Sequence, residues 1–273
     1  MKRFLFLVSL HFLIFGSPAW AQLTQTVVDI PTRPGVTQRF LLLSPDQPKA
    51  TVILFAGGHG GLQISPDGSF GRGTGNFLVR TREMFAAHGL LTVVIDAPSD
   101  RQSDPFLSGF RQTPQHVADI KAVIAWLKQQ VKVPVWLVGT SRGTESAAYI
   151  GTQLPLVDGG PDGLVLTATI LLDPNGTPVP NMALEKIGVP VLVAHHRQDG
   201  CSLCPYAELP RLMNKLTLSP KKRLLTFDGG QNVGDPCEAF AYHGFNGIES
   251  DVITKIAQWI RAKHTPIYQL LLD

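Results

Sequence analysis

The sequence is poor in charged residues and in cysteine. Of its 273 residues, 16% are charged and three are cysteines, while 44% are hydrophobic. This composition excludes a disordered or collagen-like chain and is ordinary for a globular domain with a large core. No internal repeat or linker-like stretch divides the sequence, so we expect one folded domain.

Clustered positive charge is also lacking. The net charge is only +3, and no patch of Lys and Arg with interleaved aromatic residues occurs, so the sequence shows no nucleic-acid-binding surface. The full sequence has 24 basic and 21 acidic residues. Two of the basic residues, Lys2 and Arg3, belong to an N-terminal leader, so the rest of the chain is nearly neutral. We therefore expect no nucleic-acid partner.

The N-terminus has the layout of a secretory signal peptide. Two basic residues precede an apolar stretch over 4–15, and an Ala-Trp-Ala cleavage site ends at Ala21. The apolar stretch is shorter than the ~20 residues that a membrane-spanning helix needs. No cysteine follows the site to carry a bacterial lipid anchor. We expect a signal peptide over 1–21 and a periplasmic or secreted domain over 22–273 with no stable membrane anchor.

Short apolar runs alternate with helical patterns along the rest of the chain. The later runs are almost entirely apolar, which is typical of strands buried on both faces of a parallel sheet. Strand and helix in alternation indicate crossover connections and a doubly wound α/β fold with helices on both faces. The pattern predicts eight strands, at 24–30, 37–43, 50–56, 90–97, 134–140, 168–173, 189–196 and 223–228.

The clearest helix begins after Thr113. This residue is a suitable N-cap, Pro114 suits the first helical position, and the apolar residues that follow lie on one stripe. Further helices are predicted over about 76–88, 141–152, 205–216 and 247–263. No segment after the fifth strand is long enough for an inserted lid domain, so we expect no large cap.

The fifth predicted strand ends in Gly139-Thr140-Ser141-Arg142-Gly143, a Gly-x-Ser-x-Gly sequence before a helix. A serine at such a junction can occupy a sharp turn that lifts its hydroxyl above the sheet, and the flanking glycines avoid collisions between strand and helix. The helix N-terminus also favours developing negative charge. This placement predicts Ser141 as a nucleophile.

A base and an orienting acid follow Ser141 along the chain. Asp199 comes after the seventh predicted strand, and His243 lies between the eighth strand and the last helix. The order of serine, acid and histidine on this strand pattern resembles the alpha/beta-hydrolase fold over nearly the whole mature chain. The resemblance implies a catalytic triad of Ser141, His243 and Asp199. Asp173, at the end of the sixth predicted strand, is the alternative acid.

Other histidines and aspartates have simpler interpretations. His195, His196 and His264 are expected to pack or to face solvent, and Asp228 and Asp251 to be turn or helix-start carboxylates.

A glycine-rich segment, Phe-Ala-Gly-Gly-His-Gly-Gly, follows the third strand. It resembles the oxyanion motif of alpha/beta hydrolases, although Ala56 stands where the histidine of the motif is expected. The resemblance implies one oxyanion donor from the backbone N–H of Gly58 or His59 and a second from that of Arg142. The Arg142 side chain is expected to form a structural salt bridge. The loop over 57–76 contains eight glycines and is expected to line the site.

The three cysteines lie close in sequence to the implied acid and base. A hydrogen bond between Asp199 and His243 would bring Cys201 and Cys237 together, so a disulfide between them would clamp the triad. Cys204 is the rival partner for Cys237. We expect no metal site, because three cysteines without a matching histidine spacing fall short of a zinc-ligand pattern.

The N-terminal leader predicts export, and the resemblance implies a serine hydrolase that cleaves carboxylic esters through an acyl-enzyme intermediate and requires no cofactor. Small esters, acylated sugars and polymer ends are all compatible substrates. A serine peptidase, an acyltransferase or a non-catalytic binding protein on the same fold are the alternatives.

Overall fold

The structure, a computed structural model, describes residues 23–262 and residue 264. Within this part of the chain one sheet is formed by β1 (Thr24–Arg33), β2 (Val36–Ser44), β3 (Ala50–Phe55), β4 (Leu90–Ile95), β5 (Val135–Thr140), β6 (Gly163–Thr167), β7 (Val191–His196) and β8 (Lys222–Phe227). The strand order is β1-β2-β4-β3-β5-β6-β7-β8. β2 is antiparallel to both β1 and β4, and all later pairs are parallel. The predicted mostly parallel, eight-stranded sheet is confirmed.

Helices cover both faces of the sheet. They are α1 (Phe77–Arg80), α2 (Arg82–Ala87), α3 (Pro114–Gln130), α4 (Gly143–Gln153), α5 (Leu209–Lys215) and α6 (Glu249–Arg261). The apolar sides of α3, α4 and α5 pack on one face, and those of α1, α2 and α6 pack on the other. The sheet thus separates two apolar cores, as the doubly wound prediction requires.

The cap of α3 is as the sequence pattern predicts. The Thr113 side chain accepts a hydrogen bond from the backbone N–H of His116, and Pro114 occupies the first helical position. Ile120, Val123 and Ile124 are buried on the predicted stripe. The helix expected over 76–88 is instead two short helices, α1 and α2, which meet at Thr81.

The sixth strand is placed wrongly by the sequence prediction. It spans Gly163–Thr167 rather than 168–173, and it pairs with β5 and β7. Ala168 has a positive φ of 43°, so the extended backbone ends there, and a loop follows that is buried over 169–171 and exposed at Leu172. Asp173 therefore lies in a loop after β6 and does not end a strand.

The segments between the strands carry helices and loops but no separate domain in the described part of the chain. The segment between β6 and β7 contains only two single-turn 3-10 helices, Val179–Asn181 and Leu184–Lys186, and residues 23–262 contain no inserted cap domain.

Among the described residues, no helix is long and apolar enough to cross a membrane. The expected signal peptide over 1–21 lies outside these residues.

Candidate active site

Ser141 occupies a tight turn between β5 and α4. Its φ is +51°, a left-handed conformation that is uncommon for a residue with a side chain and is associated with functional sites. A Cβ at Gly143 would overlap the backbone carbonyl of Phe55, and one at Gly139 would overlap that of Gly143. Both glycines are therefore needed for strand, turn and helix to approach this closely.

Asp199 lies in the loop directly after β7 and is buried. Its Oδ1 accepts a hydrogen bond from the backbone N–H of Cys201 at 2.9 Å. Its Oδ2 is 2.9 Å from Nδ1 of His243. Both carboxylate oxygens are thus engaged, and the second one orients an imidazole ring.

His243 lies in a 3-10 turn, Tyr242–Gly244, between β8 and α6. The residue is only 4% exposed. Because Nδ1 is bound to Asp199, Nε2 is the ring nitrogen left to act on a substrate or on a neighbouring hydroxyl. Nε2 is buried and has no hydrogen-bond partner among the described residues. His243 and Ser141 line the same cleft, which has a volume of about 540 Å³.

Asp173, the alternative acid, has different partners. Its carboxylate forms a salt bridge with the side chain of Arg142 and accepts a hydrogen bond from the backbone N–H of Asn175. Burial would raise the pKa of Asp173, but these hydrogen bonds outweigh that effect and lower the pKa. Arg142 also pairs with Glu145 at 2.9 Å, so its side chain forms the structural salt bridges that the sequence suggested.

The glycine-rich loop after β3 lines the cleft through Gly57 to Leu62 and again near Asn76. The backbone N–H groups of Gly58, His59 and Arg142, the three expected oxyanion donors, form no hydrogen bond with another group within residues 23–262. Unpaired N–H groups beside a cleft are available to a substrate oxygen. The structure thus brings all three to the cleft that contains Ser141.

The structure joins Cys201 and Cys237 by a disulfide, the pairing favoured from the sequence. Cys204 is a free and buried thiol, and burial raises its pKa. Cys201, Cys204 and His243 offer ligand atoms within 4.8 Å of one another. With its sulfur in a disulfide, however, Cys201 has no thiolate to offer a metal.

The remaining candidates have structural partners. His195 and His196 are fully buried, and their Nε2 atoms lie 2.9 Å from the carbonyl oxygens of Cys204 and Gly229. The His196 ring also stacks on Tyr242 with ring centroids 4.3 Å apart. The packing role expected for these two histidines is confirmed.

The three other residues that were given structural roles from the sequence also have partners within the fold. His264 lies 2.8 Å from the carbonyl oxygen of Trp259. Asp228 pairs with Arg197 after β8, and Asp251 pairs with Lys255 in the first turns of α6.

Two buried charged residues that bind the glycine-rich loop were missed from the sequence. Asp96, just after β4, accepts backbone hydrogen bonds from Leu62, Gln63 and Ile64, and so holds the glycine-rich loop. Arg111 contacts the same loop from the segment before α3. Asp96 follows a buried strand, which is a weak positional signal, whereas no local pattern marks Arg111.

No family model matches the chain, and no curated protein sequence matches it. Solved structures that resemble it include an esterase from Pyrococcus furiosus, with a TM-score of 0.62, 13% identity and coverage of 88% of this chain and 92% of that one. A dienelactone hydrolase from Anabaena variabilis has a TM-score of 0.59, 17% identity and coverage of 88% and 96%.

An alpha-beta serine hydrolase homologue from Coxiella burnetii has a TM-score of 0.54, 15% identity and coverage of 90% of this chain and 98% of that one. At these identities the likeness concerns the fold. The chain has the alpha/beta-hydrolase fold, in agreement with the strand order and the position of Ser141 at the end of β5.

Proposed function

We propose that the protein is a serine hydrolase that cleaves carboxylic esters. The proposal rests on the partners of the two ring nitrogens of His243. Its Nδ1 lies 2.9 Å from Asp199 Oδ2, while its buried Nε2 has no partner among the described residues and the residue shares a cleft with Ser141. An imidazole held on one side and free on the other is suited to general base catalysis.

In the proposed reaction, Ser141 Oγ attacks the ester carbonyl and His243 Nε2 takes its proton. The negative oxygen that forms is stabilised by backbone N–H groups at the start of α4 and in the glycine-rich loop. His243 then protonates the departing alkoxide, leaving an acyl group on Ser141. Water then gives a proton to the same histidine and attacks the acyl group, and His243 returns that proton to Ser141 Oγ as the carboxylic acid leaves. Asp199 keeps the imidazole in the required tautomer throughout.

The ester preference is supported by the similar structures. The Pyrococcus furiosus protein is described as an esterase and the Anabaena variabilis protein as a dienelactone hydrolase. Export is proposed on the basis of the N-terminal sequence, and a disulfide between Cys201 and Cys237 is consistent with an oxidising compartment.

A substitution series with p-nitrophenyl esters of increasing chain length tests this function. We expect Ser141→Ala to lower kcat/KM by about 10³-fold or more, because the nucleophile is lost. The circular dichroism spectrum should stay unchanged, because the substitution removes little packing. Ser202→Ala is a matched control, because Ser202 is exposed on the loop that contains Asp199 and does not line the cleft. Ester hydrolysis by Ser141→Ala within tenfold of wild type would refute the proposal.

A further inference from the structure

Arg111 is a buried arginine that lies against the glycine-rich loop. Its side chain leaves the segment before α3 and is only 3% exposed. Nη2 donates hydrogen bonds to the carbonyl oxygens of Ala56 at 2.9 Å and Gly58 at 3.1 Å. Nη1 donates to Ser146 Oγ, on α4, at 2.9 Å. One guanidinium group therefore connects the loop after β3 to the helix after Ser141.

The Arg111 guanidinium has no carboxylate as a hydrogen-bond partner among the described residues. Burial lowers the pKa of Arg111 to about 10, with Glu145 as a nearby compensating charge, so the side chain stays cationic at neutral pH. Burying a cation is costly unless its donors are satisfied. The hydrogen bonds to the two loop carbonyls therefore help to offset the cost of burying this cation.

The loop itself is shaped to fit this arginine. A Cβ at Gly60 would overlap Arg111 Nη2, so the backbone at this position can approach the guanidinium only because it carries no side chain. The preceding residue in the loop, His59, is held by Leu107, whose backbone N–H donates a hydrogen bond to the His59 carbonyl at 2.9 Å. The His59 ring also stacks on Phe106.

The direction of the Gly58 carbonyl determines the direction of the next N–H. In a planar trans peptide the C=O and N–H bonds point to opposite sides. Because the Gly58 carbonyl points at Arg111, the N–H of His59 points away from it, and this N–H has no hydrogen-bond partner within residues 23–262. His59 also lines the cleft that contains Ser141.

We propose that Arg111 is a positioning residue that holds the peptide between Gly58 and His59 so that the His59 N–H serves as an oxyanion donor. This inference rests on the proposed hydrolase function. The N–H of Gly58 is also unpaired within residues 23–262 and also at the cleft, but the contact from Arg111 to the Gly58 carbonyl fixes the direction of the His59 N–H, and the proposal therefore names His59 as the donor. Arg111 acts through the loop and does not contact the substrate, and its positive charge adds to the field at the developing oxyanion.

Steady-state kinetics of Arg111→Met and Arg111→Lys test the proposal. Without the two carbonyl contacts, the His59 N–H loses its fixed direction. We expect Arg111→Met to lower kcat by about 10²-fold, the effect of losing one oxyanion donor, while KM changes less than threefold. Arg111→Lys keeps the charge and can donate to a single carbonyl, so we expect an intermediate loss of about tenfold in kcat.

A second measurement separates positioning from general loosening of the fold. A boronic acid forms a negatively charged tetrahedral adduct with a catalytic serine, so its inhibition constant reports on the oxyanion donors. We expect this constant to rise in Arg111→Met by the same factor as kcat falls. Ser146→Ala is the matched control, because it removes the partner of Nη1 and leaves both loop contacts in place, and it should keep kcat within threefold of wild type.

The outcomes are distinct. Unchanged kcat in folded Arg111→Met, or an equal loss in Ser146→Ala, would overturn the role of Arg111 even if Ser141→Ala is inactive. If Arg111→Met does not fold, Arg111→Lys decides, and a kcat or boronate constant equal to wild type overturns the proposal. Activity retained in Ser141→Ala would instead remove the proposed function itself.

Discussion

Asp199 and Asp173 are both acidic residues in loops that follow strands near Ser141, but their hydrogen bonds assign them different tasks. Asp199 orients His243 and accepts the N–H of Cys201, whereas Asp173 is bound to Arg142 and to the N–H of Asn175. The sequence leaves two candidate acids. Of the two carboxylates, Asp199 is the one that touches His243, and this contact supports Asp199 as the acid of the proposed triad.

Substitution by asparagine distinguishes the two carboxylates. Asn at 199 presents an amide N–H to His243 and favours the wrong tautomer of the ring, so we expect Asp199→Asn to lower kcat by about 10³- to 10⁴-fold. Asp173→Asn removes a salt bridge to the Arg142 side chain and leaves the contact between Asp199 and His243 in place, so it should lower kcat less than tenfold. Hydrolysis of one p-nitrophenyl ester by both variants makes the comparison, and the reverse ranking would assign the acid to Asp173.

Single residues differ in how well the sequence predicts them. Ser141 is marked by its glycines, and Asp199 and His243 by their order after particular strands. Arg111 has no such mark, because its partners are the carbonyls of Ala56 and Gly58, which are more than 50 residues away in the chain. A contact between a side chain and a distant backbone leaves no periodic pattern in either segment.

At the scale of elements, the strands were predictable where an apolar run had clear ends. β6 was not, since the apolar residues run from Leu164 through Leu172 with little interruption, and periodicity alone cannot choose the paired part. The pairing with β5 and β7 selects Gly163–Thr167. Ile170 and Leu171 are still buried, so the error concerns backbone pairing rather than burial.

The disulfide connects the loop after β7 to the loop after β8, and we expect its loss to affect activity before the fold. In the double variant Cys201→Ser/Cys237→Ser, a displacement of about 1 Å between Asp199 and His243 would cost on the order of a hundredfold in kcat. The cross-link spans 36 residues, for which the chain-entropy relation gives about 3 to 4 kcal/mol of unfolding free energy.

Activity and circular dichroism measured across temperature test this expectation. Cys204→Ala is the control, because it removes the free thiol and keeps the cross-link. If the double variant hydrolyses esters at the wild-type rate at temperatures where both proteins are folded, the disulfide does not position the acid and the histidine.

At the scale of the whole molecule, the site follows from the direction of the strands. The segments that carry it follow β3, β5, β7 and β8, which are all parallel. Parallel strands place their carboxyl ends at one edge of the sheet, where ligands bind in open α/β folds. This is why residues separated by more than 100 positions, such as Ser141 and His243, line one cleft.

The most direct test of the central claim is labelling with a fluorophosphonate probe followed by peptide mapping. The probe forms a covalent bond with an activated serine, and Ser141 is proposed to be activated by His243. We predict one adduct per folded chain, on the peptide that contains Ser141, and its loss in His243→Ala and in denatured protein. A folded protein that hydrolyses esters but carries no adduct on Ser141, or carries one on a different serine, would contradict the account.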